Sequence, residues 1–308
     1  MKRVWLLAAM LTLLFGDEMK VCESEQDKMS GCVERGYYDN GNLSYEVPYK
    51  DGDMNGVYKE YYENGVLSME GYYKNDQRYG VFKEYYKDGK LKAEASFMGI
   101  RLVGVDKRYY KNGNVSLEIP YKDGKKDGVE RRYGESGELA IEIPWRDGML
   151  DGVVKEYYSD GTLKLEQTFK NDRVEGLSRS YHKDSGILFE VSYKNGKMEG
   201  VGSYYKDEKL IGEDFYQNGV LEGIGKEFFP SGELGIETTY KNGKKHGERR
   251  WYNRHGDLGF SVIYHNDEPV SGKCANGKIL TNAHLQNLKR KDILPSCNLG
   301  GASLYGFE

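Results

Sequence analysis

Proline, histidine, cysteine and tryptophan are all scarce in this chain, at 6, 5, 4 and 3 residues out of 308. So little proline beside 40 glycines excludes collagen and proline-rich low-complexity sequence. The five histidines, His182, His246, His255, His265 and His284, stand in no H-E-x-x-H or Cys-His arrangement, and no G-x-S-x-G or phosphate-binding glycine loop occurs in a suitable setting. No enzyme and no cofactor is therefore expected. A one-signed charge is missing too. The net charge of -4 is what remains of 45 basic and 49 acidic residues, which gives no field to gather nucleic acid or an anionic membrane surface.

Membrane-length apolar runs are also absent. Residues 4–15, after Lys2 and Arg3, are apolar apart from Thr12, too short to span a bilayer but fit for the core of a secretion signal. Residues 1–21 are assigned to that signal, with cleavage expected near Gly16. No A-x-A site is present, so an uncleaved N-terminal anchor stays open as the one route to a membrane. Met19, Lys20 and Val21 do not form a lipobox before Cys22. The expected setting is bacterial and exported: periplasm, cell envelope or medium.

All four cysteines lie in the flanks, Cys22 with Cys32 and Cys274 with Cys297. An oxidising compartment permits two local bridges, whereas zinc is a poor fit because no CxxC and no neighbouring histidine pattern occurs. Residues 22–35 are read as an N-terminal cap and 273–308 as a C-terminal cap. Within the latter, Asn282 stands as a helix cap before a short helix over 283–290.

Between the caps, residues 36–272 repeat. Gly56, Gly80, Gly104, Gly128, Gly152, Gly176 and Gly200 stand at one constant spacing, and the beat continues with a slip at Gly223, Gly247 and Gly272. Small apolar residues follow, as in Val57, Val81, Val105 and Val153, and four positions later comes an aromatic, as in Tyr61, Tyr85, Tyr109 and Tyr157. A turn such as Glu63-Asn64-Gly65 leads to Leu67 or its equivalents and then to a second aromatic column through Tyr49, Tyr73, Phe97 and Trp145. Glycine turns this frequent leave no room for helices and predict two strands per unit. The expected fold is all-β, an elongated single-layer antiparallel meander of about ten hairpin repeats with a short C-terminal helical cap. Period-two alternation puts Val57, Tyr61, Leu67, Met69 and Tyr73 on the packed face and Tyr58, Glu60 and Tyr62 on the other. Two charged columns, through Lys59, Lys83 and Lys107 and through Glu46, Glu70 and Glu94, predict cross-strand ion pairs that hold register.

The pattern G-V-x-K-E-Y-Y-x-x-G-x-L-x-x-E-x-x-Y-K-x-G-K-x-x-G, met closely by residues 152–176, resembles the MORN-variant repeat, the divergent relative of the membrane occupation and recognition nexus repeat. The resemblance extends over about residues 33–272. It implies a single-layer chain of β-hairpins and brings no catalytic residues. Bacterial proteins of this type are often labelled antitoxin-like.

Asp51-Gly52-Asp53-Met54-Asn55-Gly56 begins like a calcium loop, but Tyr62 stands where the closing glutamate belongs. A polar turn without metal is the expectation there. For function, the sequence predicts an exported scaffold that binds a protein partner. The alternatives are a module for a surface polysaccharide or cell wall and an antitoxin-like neutraliser. The predicted partner-binding stripe is Tyr62, Tyr86, Tyr110 and Tyr158, tyrosines recurring opposite the packed face.

Overall fold

The computed structural model of the protein describes residues 19–291 together with Cys297. Most of the predicted secretion signal thus lies outside the described residues. The chain divides into two units, residues 1–125 and 126–308. Each is an antiparallel β-meander built from the same hairpin. The first holds the hairpins from Cys32–Tyr37 and Leu43–Lys50 through Arg101–Tyr109 and Val115–Lys122; the second continues the pattern to Leu258–His265 and ends in strand Glu268–Cys274 and helix Asn282–Lys291.

One repeat shows how the residues impose the shape. Strand Gly56–Tyr61 pairs with Leu67–Lys74 in the register Gly56 to Tyr73, Val57 to Tyr72, Tyr58 to Gly71, Lys59 to Glu70 and Glu60 to Met69, and the register then shifts so that Tyr61 meets Leu67. The shift recurs in every hairpin, between Glu84 and Tyr85 for example and between Glu156 and Tyr157. It is a β-bulge beside the loop, where Gly65 takes a positive φ of 81° and its N–H donates to the Tyr62 carbonyl. The turns between hairpins carry two successive residues at positive φ, such as Asp51 and Gly52 or Asn195 and Gly196, the type I′ geometry that asparagine, aspartate and glycine tolerate. The calcium-like segment is one of these turns.

The recurring glycine has its own reason. Gly56, Gly80, Gly152 and Gly176 have φ of 138°, 80°, 134° and 92°, in the range that a β-carbon disfavours. The slip in the beat after Gly200 is also explained. Strands Gly200–Lys206 and Lys209–Gln217 close through the two residues Asp207 and Glu208, in place of the longer glycine loop of the other hairpins.

The bulge corrects the predicted faces. Cross-strand partners share a face, so Val57 lies with Lys59, Glu70 and Tyr72, while Met69, Gly71 and Tyr73 lie with Glu60, Tyr58 and Gly56. Simple alternation carried across the bulge had grouped Val57 with Met69 and Tyr73, and one extra residue reverses that assignment. The buried row is instead the Tyr58 column with the Gly71 column: Phe82, Asp106, Ile119, Glu130, Ser178, Val191, Arg249 and Val262 all belong to it and are buried. Large faces small across this row, as in Tyr58 with Gly71 and Phe82 with Ala95. The rings of Tyr58, Tyr73, Phe82 and Phe97 meet edge to face in sequence, with centroids 5.3–5.6 Å apart.

Both ends are closed on this inner face. Cys22 and Cys32 are bridged, and the Cys22 N–H donates to the Val33 carbonyl while the Val33 N–H donates to that of Lys20, which occupies the edge of the first strand. Helix Glu25–Ser30 then sets Lys28 over the Tyr49 ring, 4.6 Å from its centroid, and 3.1 Å from Glu34. At the other end Cys274 and Cys297 are bridged, and Leu285 and Leu288 of the terminal helix are buried with Phe260, Val262 and Tyr264. That helix is capped one residue earlier than the sequence suggested: the Thr281 hydroxyl accepts from the His284 N–H, and the Leu285 N–H donates to the Thr281 carbonyl.

A β-carbon placed on Gly71 would fall inside the contact surface of the Phe82 ring. Gly71→Ala should therefore destabilise the fold by about 1–3 kcal/mol, although alanine ordinarily improves on glycine in a strand. In a Phe82→Ala background the same change should cost little. A denaturant-melt double-mutant cycle measures the coupling, and additive effects would rule out this packing.

Candidate functional site

The outer face of each repeat carries two rows, one charged and one apolar. In the charged row a basic residue meets a glutamate across the hairpin: Arg35 lies 3.0 Å from Glu46, Lys107 3.1 Å from Glu118, Arg131 3.1 Å from Glu142 and Arg179 2.9 Å from Glu190. Glutamates of this row also accept from a tyrosine of the following hairpin. Tyr61 donates to Glu46 at 3.1 Å, Tyr85 to Glu70 at 2.7 Å, Tyr109 to Glu94 at 2.7 Å and Tyr157 to Glu142 at 2.9 Å. The predicted ion-pair ladder is present at these four rungs, whereas Glu70 and Glu94, opposite Lys59 and Lys83, are held by the tyrosine hydroxyls that link one hairpin to the next. Burial, and then the hydrogen bond to the carboxylate, pushes the phenols of Tyr61, Tyr85, Tyr109 and Tyr157 up to about 12.

The tyrosines of the predicted binding stripe sit elsewhere. Tyr62, Tyr86, Tyr110 and Tyr158 are all half-buried. The Tyr62 hydroxyl donates to the Tyr85 carbonyl at 2.7 Å, that of Tyr86 to Tyr109 at 2.7 Å and that of Tyr158 to Tyr181 at 2.9 Å. Tyr38, which the sequence reading did not single out, makes the same link to Tyr61 at 2.6 Å. A constant spacing to a neighbouring backbone carbonyl is thus one physical reason for the column. It breaks at Gly134, His182, Lys206 and Asn253, positions that cannot supply a phenol.

What lies exposed is the small apolar column expected in the core. In the first unit Val57, Val81 and Val105 are 51%, 50% and 41% exposed, and Tyr72, Tyr79 and Met98 of the same face are exposed with them. In the second unit Val153, Leu177, Val201 and Ile224 repeat the pattern. Apolar side chains aligned in this way mark an interaction surface more than scattered ones do. The sequence carries no direct mark of this face, which the bulge beside the glycine loop decides.

Among the described residues no group of three or more His, Cys, Asp or Glu is placed to hold a metal ion, and no helix is long and apolar enough to cross a membrane.

The profile of the MORN repeat variant matches the chain seven times, at residues 33–51, 54–75, 78–98, 102–123, 126–147, 150–171 and 221–242. No curated protein matches the sequence. Among solved structures, the TcdB2-TccC3-Cdc42 crystal structure is similar at 10% identity over 81% of this chain and 16% of that one, with a TM-score of 0.18. The Photorhabdus luminescens Tc holotoxin pore is similar at 11% identity over 81% and 17%, with a TM-score of 0.21. The chain thus spans only a small part of those proteins.

The raised phenols fix an alkaline limit. The unfolded chain loses these protons near the ordinary value of 10.0 and the folded one near 12, so the unfolded state binds fewer protons in between. Their contribution is complete below pH 10 and is lost as pH rises to about 12. The Tyr85→Phe, Tyr109→Phe double variant should lose less stability than the wild type over that window. Melting temperatures at stepped pH check it, and parallel curves would refute it. Separately, Tyr62→Phe and Tyr86→Phe should each cost about 0.5–1.5 kcal/mol for the lost link to a carbonyl.

Proposed function

The chain belongs to the MORN repeat variant family, and from that premise we propose that it is an exported, non-catalytic scaffold whose outer face holds a protein partner. The observation that carries the reading is the exposed apolar row of Val57, Val81 and Val105, set beside a charged row whose glutamates are already held by tyrosine hydroxyls or by a cation. Such a surface offers apolar area for burial with polar groups at its rim, the composition of a protein interface. The repeat family is in general a scaffold without catalysis, and the two bridges at Cys22–Cys32 and Cys274–Cys297 suit an oxidising compartment outside the cytoplasm.

A polysaccharide is less well served, because stacking on sugars needs free ring faces. Several rings are covered by cations instead: Tyr49 by Lys28, Trp145 by Lys126 at 4.3 Å and Phe97 by Arg78 at 5.1 Å.

A photo-crosslinking residue at Val81, in protein made in its native host, should join a defined extracytoplasmic protein, identified by mass spectrometry. The same residue at exposed Lys164 should not. Changing Val57, Val81 and Val105 together to Ser should abolish that crosslink from a probe at Tyr72 while leaving the melting temperature within a few degrees, since little burial is lost. Recovery of the protein in the cytoplasm with four free thiols, or an unchanged crosslink in the triple variant, would overturn the proposal.

A further inference from the structure

The first unit contains a groove of 520 Å³ beside the buried row, with Met69, Phe82, Ala93, Ala95, Phe97 and Leu102 among the side chains that line it. Its origin is a local loss of bulk. The two second-strand positions that pair with Glu84 and Phe82 are Ala93 and Ala95, where the preceding hairpin has Met69 and Gly71 and the following one Leu117 and Ile119. Two of the tyrosines in the predicted stripe, Tyr86 and Tyr110, reach its wall.

A cation stands at the groove with no acid to meet it. Arg78 lies over the rings of Phe82 and Phe97, at 5.2 and 5.1 Å, and its nearest hydrogen-bonding partner is the Tyr73 hydroxyl at 3.5 Å. The repeat supplies its own control. In the second unit the same position is Lys126, which covers Trp145 in the same way but lies 2.8 Å from the buried carboxylate of Glu130. Phe82 occupies the position of Glu130 beside Arg78, so the partner carboxylate is missing there. Elsewhere in the first unit the position is apolar, Met54 or Leu102. The other charges at the groove are satisfied: Lys92 pairs with Glu84 at 3.2 Å, Arg108 with Asp106 at 3.3 Å, and Glu94 accepts from Tyr109 at 2.7 Å.

We propose that this groove binds an extended acidic segment of a protein, with a carboxylate against Arg78 and a neighbouring large apolar side chain over Ala93 and Ala95. The site supplies one unmatched positive charge beside one apolar dip, a pair that a peptide meets with adjacent side chains. A sugar ring would need an open aromatic face, but Phe82 is buried and Arg78 covers both phenyl groups. The inference rests on the reading of the chain as a protein-binding scaffold and adds a second contact, away from the valine row.

The probe is a phage-displayed library of random linear peptides, selected on the full oxidised protein and counter-selected on Arg78→Gln. The expected result is a consensus holding Asp or Glu next to a large apolar residue. The synthesised winner should lose affinity about ten-fold or more with Arg78→Leu, which removes the charge, and with Ala93→Leu, which fills the dip. Both substitutions install residues that other hairpins carry at the same positions, Leu102 and Leu117, so unchanged melting separates lost binding from lost folding. Enrichment of neutral peptides, or winners that bind wild type and Arg78→Leu alike, would overturn the proposal. The Val57, Val81, Val105 triple variant should bind the peptide as the wild type does. A peptide that binds while no protein crosslinks at Val81 would count against the scaffold reading and leave the groove standing.

Discussion

A sheet with no second layer above it has a single way to exclude water, which is to press neighbouring side chains together along its own surface. Everything else in the two units depends on how that is done. The row through Tyr58, Gly71, Phe82 and Ala95 places a large residue against a small one, strand after strand, so that rings lie over the next backbone instead of colliding. Where the large residue becomes Glu130, the hole is filled by charge: Lys126, Arg132 and the Trp145 indole N–H all converge on its carboxylate, which is 1% exposed. Burying a carboxylate is tolerable only when it is satisfied in this way.

With so thin a core, hydrogen bonds between hairpins carry weight that packing would carry in a globule. On one side of the repeats that carry them, the tyrosines of the Tyr62 column reach a neighbouring carbonyl. On the other side the turns are laced together, as when the Met54 N–H donates to Asp76 Oδ1 at 2.7 Å while the Asp76 N–H returns to the Met54 carbonyl. Leu150 with Asp172 and Lys245 with Asp267 repeat the exchange. The charged row ties the middle. Pairs this exposed contribute at most about 1 kcal/mol each, so their use lies more in fixing register, which a repetitive sheet could otherwise slip, than in bulk stability.

The period, the two strands per unit and the turns were legible because glycine at positive φ and paired aromatics leave marks that a sequence cannot hide. The faces were not. Val57 and Tyr73 have the same parity once the loop is counted as ordinary strand, and only the bulge beside Tyr61 separates them. The structural part played by the tyrosine stripe was hidden for a related reason. Tyr62 and Tyr86 recur as a surface motif would, yet their regularity tracks a carbonyl in the next hairpin, which no one-dimensional pattern displays. The groove was invisible for the opposite reason, since two alanines in a strand carry no signal until the residues around them are placed.

The same geometry accounts for where the molecule can vary. The position shared by Arg78, Lys126, Met54 and Leu102 must cover an aromatic ring at the end of the neighbouring strand, and either a methylene chain or a branched apolar side chain can do so. The fold therefore constrains the stem of that residue and leaves its head group open. A cation there obliges the buried row to offer an acid, as Glu130 does for Lys126, or leaves the charge facing outward, as Phe82 does for Arg78. A choice neutral to the fold but decisive for the surface is the kind of position at which a repeat protein can acquire a specific ligand without disturbing the hairpins that display it.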